Sequence, residues 1–156
     1  MTTASLKRIE ADFVTLGAFE RVRRNPVAVA TWVNDAARHL ESAARLAQDD
    51  PRLAYAACHD AIRKALTGLL ADRGLRTLSG EGGHLRVQEW GIVALEGVVD
   101  AETLAGIDLV RRQRHQAEYG ELASQMIGAP EVMEALRVAT AVVDGVKRLL
   151  SRPSKR

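Results

Sequence analysis

Residues 51–74, PRLAYAACHDAIRKALTGLLADRG, contain the widest apolar surface in the chain. Pro51 suits the first turn of a helix, and Gly74 suits the position just after its end. The apolar residues between them recur at helical spacing: Ala54, Cys58, Ala61, Ile62, Ala65, Leu66 and Leu69. We therefore predict that this segment is the central helix of an all-α, up-and-down helical bundle.

Helical periodicity continues on both sides of this segment. Asn25 and Pro26 predict the cap and first turn of a long preceding helix, and Asp100 predicts the cap of a later one. Outside 51–74, the predicted helices cover residues 26–48, 85–95, 100–119 and 130–150. The sequence thus predicts about four main helices plus short N-terminal and connecting helices.

The predicted bundle occupies residues 26–150. Residues 1–25 form a predicted N-terminal helical arm, and residues 151–156 form a basic tail. The glycine-rich stretch 75–84 is the one long loop expected, and it lacks the Gly-Lys-Ser/Thr of a phosphate-binding loop. No run alternates with a period of two for long enough to predict a strand.

Composition limits the compartment and the chemistry. The 156 residues include a single cysteine, Cys58, which excludes an intramolecular disulfide and indicates a reducing compartment. Neither a membrane-spanning apolar run nor a signal-peptide pattern is visible, so we expect a cytoplasmic protein with no membrane contact. The net charge of +2 does not by itself indicate nucleic-acid binding. The four histidines are too scattered for a metal motif, so no metal or cofactor is expected.

The predicted helix 100–119 carries the most unusual charge placement. At 100° per residue, Arg114 lies on the same side as Ile107 and Val110, so a guanidinium continues the apolar face. A charge in that position requires a partner or a solvated cleft, and Glu118 is four residues away. One interpretation is a purely structural Arg114–Glu118 ion pair at a helix end.

The other interpretation is a phosphodiester-binding site. Asp108, His115 and Tyr119 lie along an adjacent stripe of the same helix, flanked by Arg111 and Arg112. Cation, imidazole and phenol therefore converge at one helix end, which suits contact with RNA or a nucleotide. His84, after two glycines, either caps the next helix or faces this cleft.

Three stretches of the chain carry a resemblance to a known family. Residues 33–48 (VNDAARHLESAARLAQ), 53–74 (LAYAACHDAIRKALTGLLADRG) and 114–119 (RHQAEY), the last followed by Gly120, are similar to the HEPN superfamily, the higher eukaryote and prokaryote nucleotide-binding domain. The likeness covers residues 31–150. In order, the stretches resemble that family's first two helices and its functional motif.

The resemblance implies RNA or nucleotide binding and, in nuclease members, metal-independent RNA cleavage by residues facing across a homodimer. Arg114 and His115 match the arginine and the polar residue of the nuclease motif, whereas Tyr119 stands where those members have a histidine. The branch with an Arg, Ala, acidic residue and Tyr pattern is similar to this chain. The biological setting implied is a toxin–antitoxin or defence system.

Within this resemblance, Arg114 would hold phosphate, His115 would carry protons, and Tyr119 would donate a hydrogen bond or stack on a base. A tyrosine, with a reference pKa of about 10, is a poor base near neutral pH. Binding without turnover therefore stays open beside cleavage. The remaining predicted substrate contacts are Arg111, Arg112, Glu118 and His84.

Two other functional interpretations follow from the same residues. One is a non-catalytic interaction module whose exposed faces bind a partner protein, such as a nucleotidyltransferase or a cognate antitoxin. A duplex-DNA regulator is the other, although no helix-turn-helix pattern is visible. Arg52 and His59 also have nuclease-like spacing, but we interpret it as chance and expect a neighbouring helix to satisfy His59.

Overall fold

The computed structural model describes residues 3–78, 82–119 and 127–152, apart from the side chains of Thr3, Ala117 and Tyr119. In chain order the elements are α1 (Thr3–Thr15), β1 (Phe19–Arg21), α2 (Pro26–Leu46), α3 (Pro51–Asp72), β2 (Leu75–Thr77), α4 (Gly83–Leu95), α5 (Ala101–Tyr119) and α6 (Ala129–Leu150). The prediction of an all-α helical bundle is confirmed, and the predicted helices agree with these bounds to within a few residues.

Short polar side chains fix where three of the helices begin. Asn25 Oδ1 accepts hydrogen bonds from the backbone N–H groups of Val27 and Ala28, at 3.0 and 3.2 Å. Asp50 accepts one from Leu53 N–H at 3.1 Å before α3, and Asp100 accepts one from the third residue after it, at 2.7 Å, before α5. These bonds satisfy donors that have no partner inside the helix.

The third helix lies at the centre of the bundle. It packs against α2 over most of its length and also contacts α4, α5 and α6. Its Tyr55 and Leu66, together with Trp90 of α4, are among the largest fully buried side chains. Because four other helices contact it, the prediction that residues 51–74 form the central helix is confirmed.

Two glycines allow neighbouring helices to approach closely. A Cβ atom at Gly106 of α5 would lie 2.6 Å from Val138 Cγ2 of α6. One at Gly91 of α4 would lie 2.6 Å from both terminal methyl groups of Leu66 in α3. Both separations are shorter than van der Waals contact, so only glycine permits this spacing. The glycines thus bring α4 and α5 into close contact with the rest of the bundle.

A small antiparallel sheet, which the sequence did not predict, pairs the segment after α1 with the segment after α3. Phe19 pairs with Thr77 and Arg21 pairs with Leu75. A strand of three residues is too short to show alternation in a sequence. The prediction of a loop over 75–84 was therefore wrong for its first residues, which form β2. The N-terminal segment, predicted as an arm, contributes Phe13 and Phe19 to the common hydrophobic core.

Candidate functional site

Helices α3, α4 and α5 enclose a pocket of about 210 Å³ that is rich in nitrogen-bearing side chains. Leucine, isoleucine and valine side chains form its apolar wall. The polar and charged residues that define what we call the imidazole pocket are His59, Arg63, His84, Arg111, Arg114 and His115. Three of the four histidines of the chain therefore line one cavity.

Helical spacing explains how these residues meet. His59 and Arg63 are four residues apart on α3, and Arg111, Arg114 and His115 are three and four apart on α5, so each set shares a helix face. His84, in the first turn of α4, lines the same pocket. A single chain thus brings together four residues that the sequence analysis selected, namely His84, Arg111, Arg114 and His115.

Arg114 has an incompletely satisfied guanidinium. Its Nη2 lies 3.0 Å from Glu118 Oε1, and Nη1 donates a hydrogen bond to Glu118 Oε2 at 3.3 Å, so the predicted pair with Glu118 is present. Its Nε is buried and has no hydrogen-bond partner among the described residues. A buried charged donor without a partner is energetically unfavourable, and such groups are a recognised mark of a ligand site.

His59 is the residue that the sequence analysis dismissed. Its Nδ1 is buried without a hydrogen-bond partner among the described residues, so at this nitrogen the expected partner on a neighbouring helix is not found. The closest charged group is Asp60, whose Oδ1 is 3.8 Å from that nitrogen. The sequence did contain a pattern that could have assigned His59 to the pocket. His59, Arg63 and Leu66 occur at positions i, i+4 and i+7 and therefore share one helix face.

Charges around His59 shift the titration of two neighbours. The His59 imidazole holds the pKa of Asp60 down, to about 2, and Arg63 and Arg114 act in the same direction against the effect of burial. Burial lowers the pKa of His84, and the charges of Arg63 and His59 lower it further, although Asp60 opposes them. Asp60 is therefore ionised at neutral pH, and His84 favours its neutral form.

Two other predicted contacts lie elsewhere. Arg112 is 60% exposed and outside the imidazole pocket; its Nε is 2.9 Å from Asp108 Oδ2. Asp108 also binds Arg111, whose Nη2 is 2.9 Å from Oδ1. Tyr119 ends α5, and its side chain is outside the described part of the structure.

Arg114 and Glu118 also line a second cavity, next to Tyr55 and Arg52. The Tyr55 hydroxyl donates a 2.5 Å hydrogen bond to Gln113 Oε1, and burial raises the pKa of this phenol. Tyr55 therefore stays protonated and fixes the register between α3 and α5 near Arg114. Arg114 consequently lines two cavities.

The chemistry available in the imidazole pocket is anion binding and proton transfer. Guanidinium groups bind phosphate or carboxylate oxygens, and imidazoles carry protons near neutral pH. Within the described ranges, no three His, Cys, Asp or Glu side chains are placed to hold one metal ion together. Likewise, no helix in those ranges is both long and apolar enough to cross a bilayer.

Comparison with known proteins gave no family assignment. No protein-family model, no curated protein and no solved structure matched this chain.

Proposed function

We propose that this chain is a HEPN-like RNA-binding protein and that the imidazole pocket holds a phosphate of single-stranded RNA. The observation that carries the proposal is the buried, unpartnered Nε of Arg114 in the wall of a cavity with three imidazoles. The resemblance of residues 114–119 to the HEPN motif supports the same site independently of the geometry.

A phosphate in the pocket would lie against a cation that is already positioned. Glu118 holds the Nη groups of Arg114 and thereby fixes the guanidinium plane in the wall of the pocket. Charge-assisted hydrogen bonds of this kind are about twice as strong as neutral ones. Arg111 and Arg63 supply further positive charge to the same cavity.

The size of the pocket favours a single strand. A cavity of about 210 Å³ between three helices is of the size of a phosphate with part of one nucleotide. Proteins recognise RNA sequence chiefly in single-stranded regions, where nucleotides can be splayed out. We therefore expect unpaired RNA to bind more tightly than duplex.

Metal-independent RNA cleavage is the activity that fits this binding site. Cleavage through the 2′-hydroxyl needs one group that removes a proton and one that returns it. The imidazole pocket contains three histidines, so these groups are available without Tyr119. The departure of Tyr119 from the nuclease motif consequently does not remove proton carriers from the site.

Fluorescence anisotropy in EDTA with a labelled single-stranded oligonucleotide that is 2′-deoxy at the cleavage position, and so cannot be cleaved, tests the proposal. Arg114→Ala should weaken binding by about tenfold, or about 1.4 kcal/mol, and to a similar extent for every RNA sequence, as expected for a lost phosphate contact. Arg112→Ala is the matched control, because it removes the same charge from the same helix outside the pocket. Equal affinity for the wild type and Arg114→Ala would contradict the proposal.

A specific observation also favours the interaction-module alternative. Leu53 and Met133, near the starts of α3 and α6, are 53% and 58% exposed. Exposed large apolar residues occur at protein–protein contacts, although single ones are common on any surface. This alternative predicts that the wild type binds no RNA and forms a stoichiometric complex with a partner protein. The double variant Leu53→Ser, Met133→Ser should disrupt that complex, and this result would favour the interaction module over the RNA-binding site.

A further inference from the structure

We infer that His59 and His84 are the proton-transfer pair of the imidazole pocket, acting on RNA whose phosphate is held by Arg114. This inference rests on the proposed function and names catalytic residues for it. Both histidines lie outside residues 114–119, the stretch that resembles the functional motif of the family, and they come from different helices of one chain.

Their positions suit two separate proton transfers. His59 is on the central helix with only 16% of its side chain exposed, and His84 lines the same pocket from the first turn of α4. The two imidazoles are close enough for His59 to lower the pKa of His84. A phosphate held at Arg114 would lie beside both, because all three residues line one small cavity.

Asp60 suits His59 to the role of general acid. The carboxylate is 3.8 Å from Nδ1 and remains ionised at neutral pH, so it offers a counter-charge to a protonated imidazole. With Nδ1 facing Asp60, the other ring nitrogen, Nε2, is the one left for proton transfer to a substrate. The charged or titratable groups facing His59 are Asp60, Arg63, His84, Arg111, Arg114 and His115.

The surroundings of His84 suit it to the role of general base. Burial and the positive charges of Arg63 and His59 disfavour its imidazolium form, so a neutral ring is available at pH 7. His115, which the sequence analysis assigned as proton carrier, is exposed near the end of α5 and is the less enclosed alternative.

The proposed step conserves atoms and charge. His84 takes the proton of the 2′-hydroxyl as the 2′-oxygen forms a bond to phosphorus. The bond between phosphorus and the 5′-oxygen breaks, and the leaving oxygen receives the proton of the His59 imidazolium. The products are a 2′,3′-cyclic phosphate and a 5′-hydroxyl end, and exchange with water restores both histidines.

Cleavage of a labelled single-stranded RNA in EDTA tests the pair. His59→Ala and His84→Ala should each slow single-turnover cleavage by about 100-fold or more, as expected for loss of a general acid or base. Their affinities for a non-cleavable 2′-deoxy analogue should stay within about threefold of wild type, because Arg114 is intact. His39→Ala is the control, since His39 lines a different surface cavity.

The pH profile separates a catalytic role from a structural one. His84→Ala should remove the fall in rate on the acidic side, because the base must be neutral to act. His59→Ala should remove the fall on the alkaline side, because the acid must be protonated. His59→Gln, which keeps a polar side chain of similar size, should be as slow as His59→Ala and should keep the wild-type helical circular dichroism.

Each outcome decides between the two proposals. RNA that binds in an Arg114-dependent manner but is never cleaved overturns the histidine pair and leaves the binding proposal intact. Cleavage lost in His115→Ala, yet retained at the wild-type rate in His59→Gln or His84→Ala, also overturns the pair. Loss of binding by the wild type overturns the proposed function and the pair together.

Discussion

His59 of α3 and Arg114 of α5 line the same cavity, and each has one buried nitrogen without a hydrogen-bond partner. Within the described residues, three buried side-chain nitrogens lack a partner, and the third, Trp90 Nε1, is outside this cavity. Folded proteins satisfy most buried polar groups. Two of these exceptions therefore belong to residues that line one cavity.

RNA binding should depend on salt through the imidazole pocket. Each phosphate neutralised by a cation releases counterions, so affinity falls with salt concentration. Arg114→Ala should reduce the slope of log Kd against log salt concentration by about one, as expected for one lost phosphate contact. Arg38→Ala removes an exposed charge from α2 and should leave the slope unchanged. An identical slope in wild type and Arg114→Ala would contradict this contact.

His84 should make the protein less stable in mild acid. Its pKa is lowered from 6.5 in the folded protein, so the unfolded chain binds the proton more tightly. The contribution of the neutral ring to stability is complete above pH 6.5 and is lost as the pH falls through the lowered folded pKa. His84→Gln should therefore lose less unfolding free energy than wild type between about pH 7.5 and 5.5, measured by urea denaturation. Equal losses would show that His84 does not contribute.

The N-terminal segment should be held to the bundle by a buried ion pair. Arg73 Nε and Nη2 donate to the two carboxylate oxygens of Glu10 at 2.8 and 3.0 Å, and the Glu10 side chain is 7% exposed. Arg73→Met leaves that carboxylate buried without its partner and should lower the unfolding free energy by about 2–3 kcal/mol. Adding Glu10→Met should recover most of the loss. A single variant as stable as wild type would contradict the pair.

Close contact between α5 and α6 should make Gly106 intolerant of a side chain. Gly106→Ala would place a methyl group 2.6 Å from Val138 Cγ2, on a β-branched side chain with little freedom to move. We expect a loss of about 1–3 kcal/mol, despite the better helix propensity of alanine. The same substitution should cost less in a Val138→Ala background, where space is available. Equal effects in both backgrounds would contradict a steric origin.

The helices were predictable because their signals are local. Capping by Asn25, Asp50 or Asp100 involves residues two or three positions away, and the apolar face of α3 repeats within single turns. The pair formed by Arg114 and Glu118 was predictable for the same reason, since positions i and i+4 are neighbours on a helix.

The composition of the site was only partly predictable. Arg114, His115 and Arg111 share a helix face and could be grouped from spacing alone, whereas His59 reaches them only through the packing of α3 against α5. Helical periodicity shows that a residue faces a neighbour but does not show which neighbour. The sheet between β1 and β2 was missed for a similar reason, because pairing between distant three-residue segments leaves no local pattern.

The most direct test of the central claim is the response of the imidazole resonances to RNA. In an NMR titration of the full chain with a single-stranded 2′-deoxy-blocked oligoribonucleotide in EDTA, His59, His84 and His115 should shift together and saturate, because they line one pocket. His39 lines a different cavity and should not move. In Arg114→Ala, the same shifts should require about tenfold more RNA. Unchanged pocket histidines at saturating RNA, or shifts confined to His39, would contradict the claim that this pocket binds RNA.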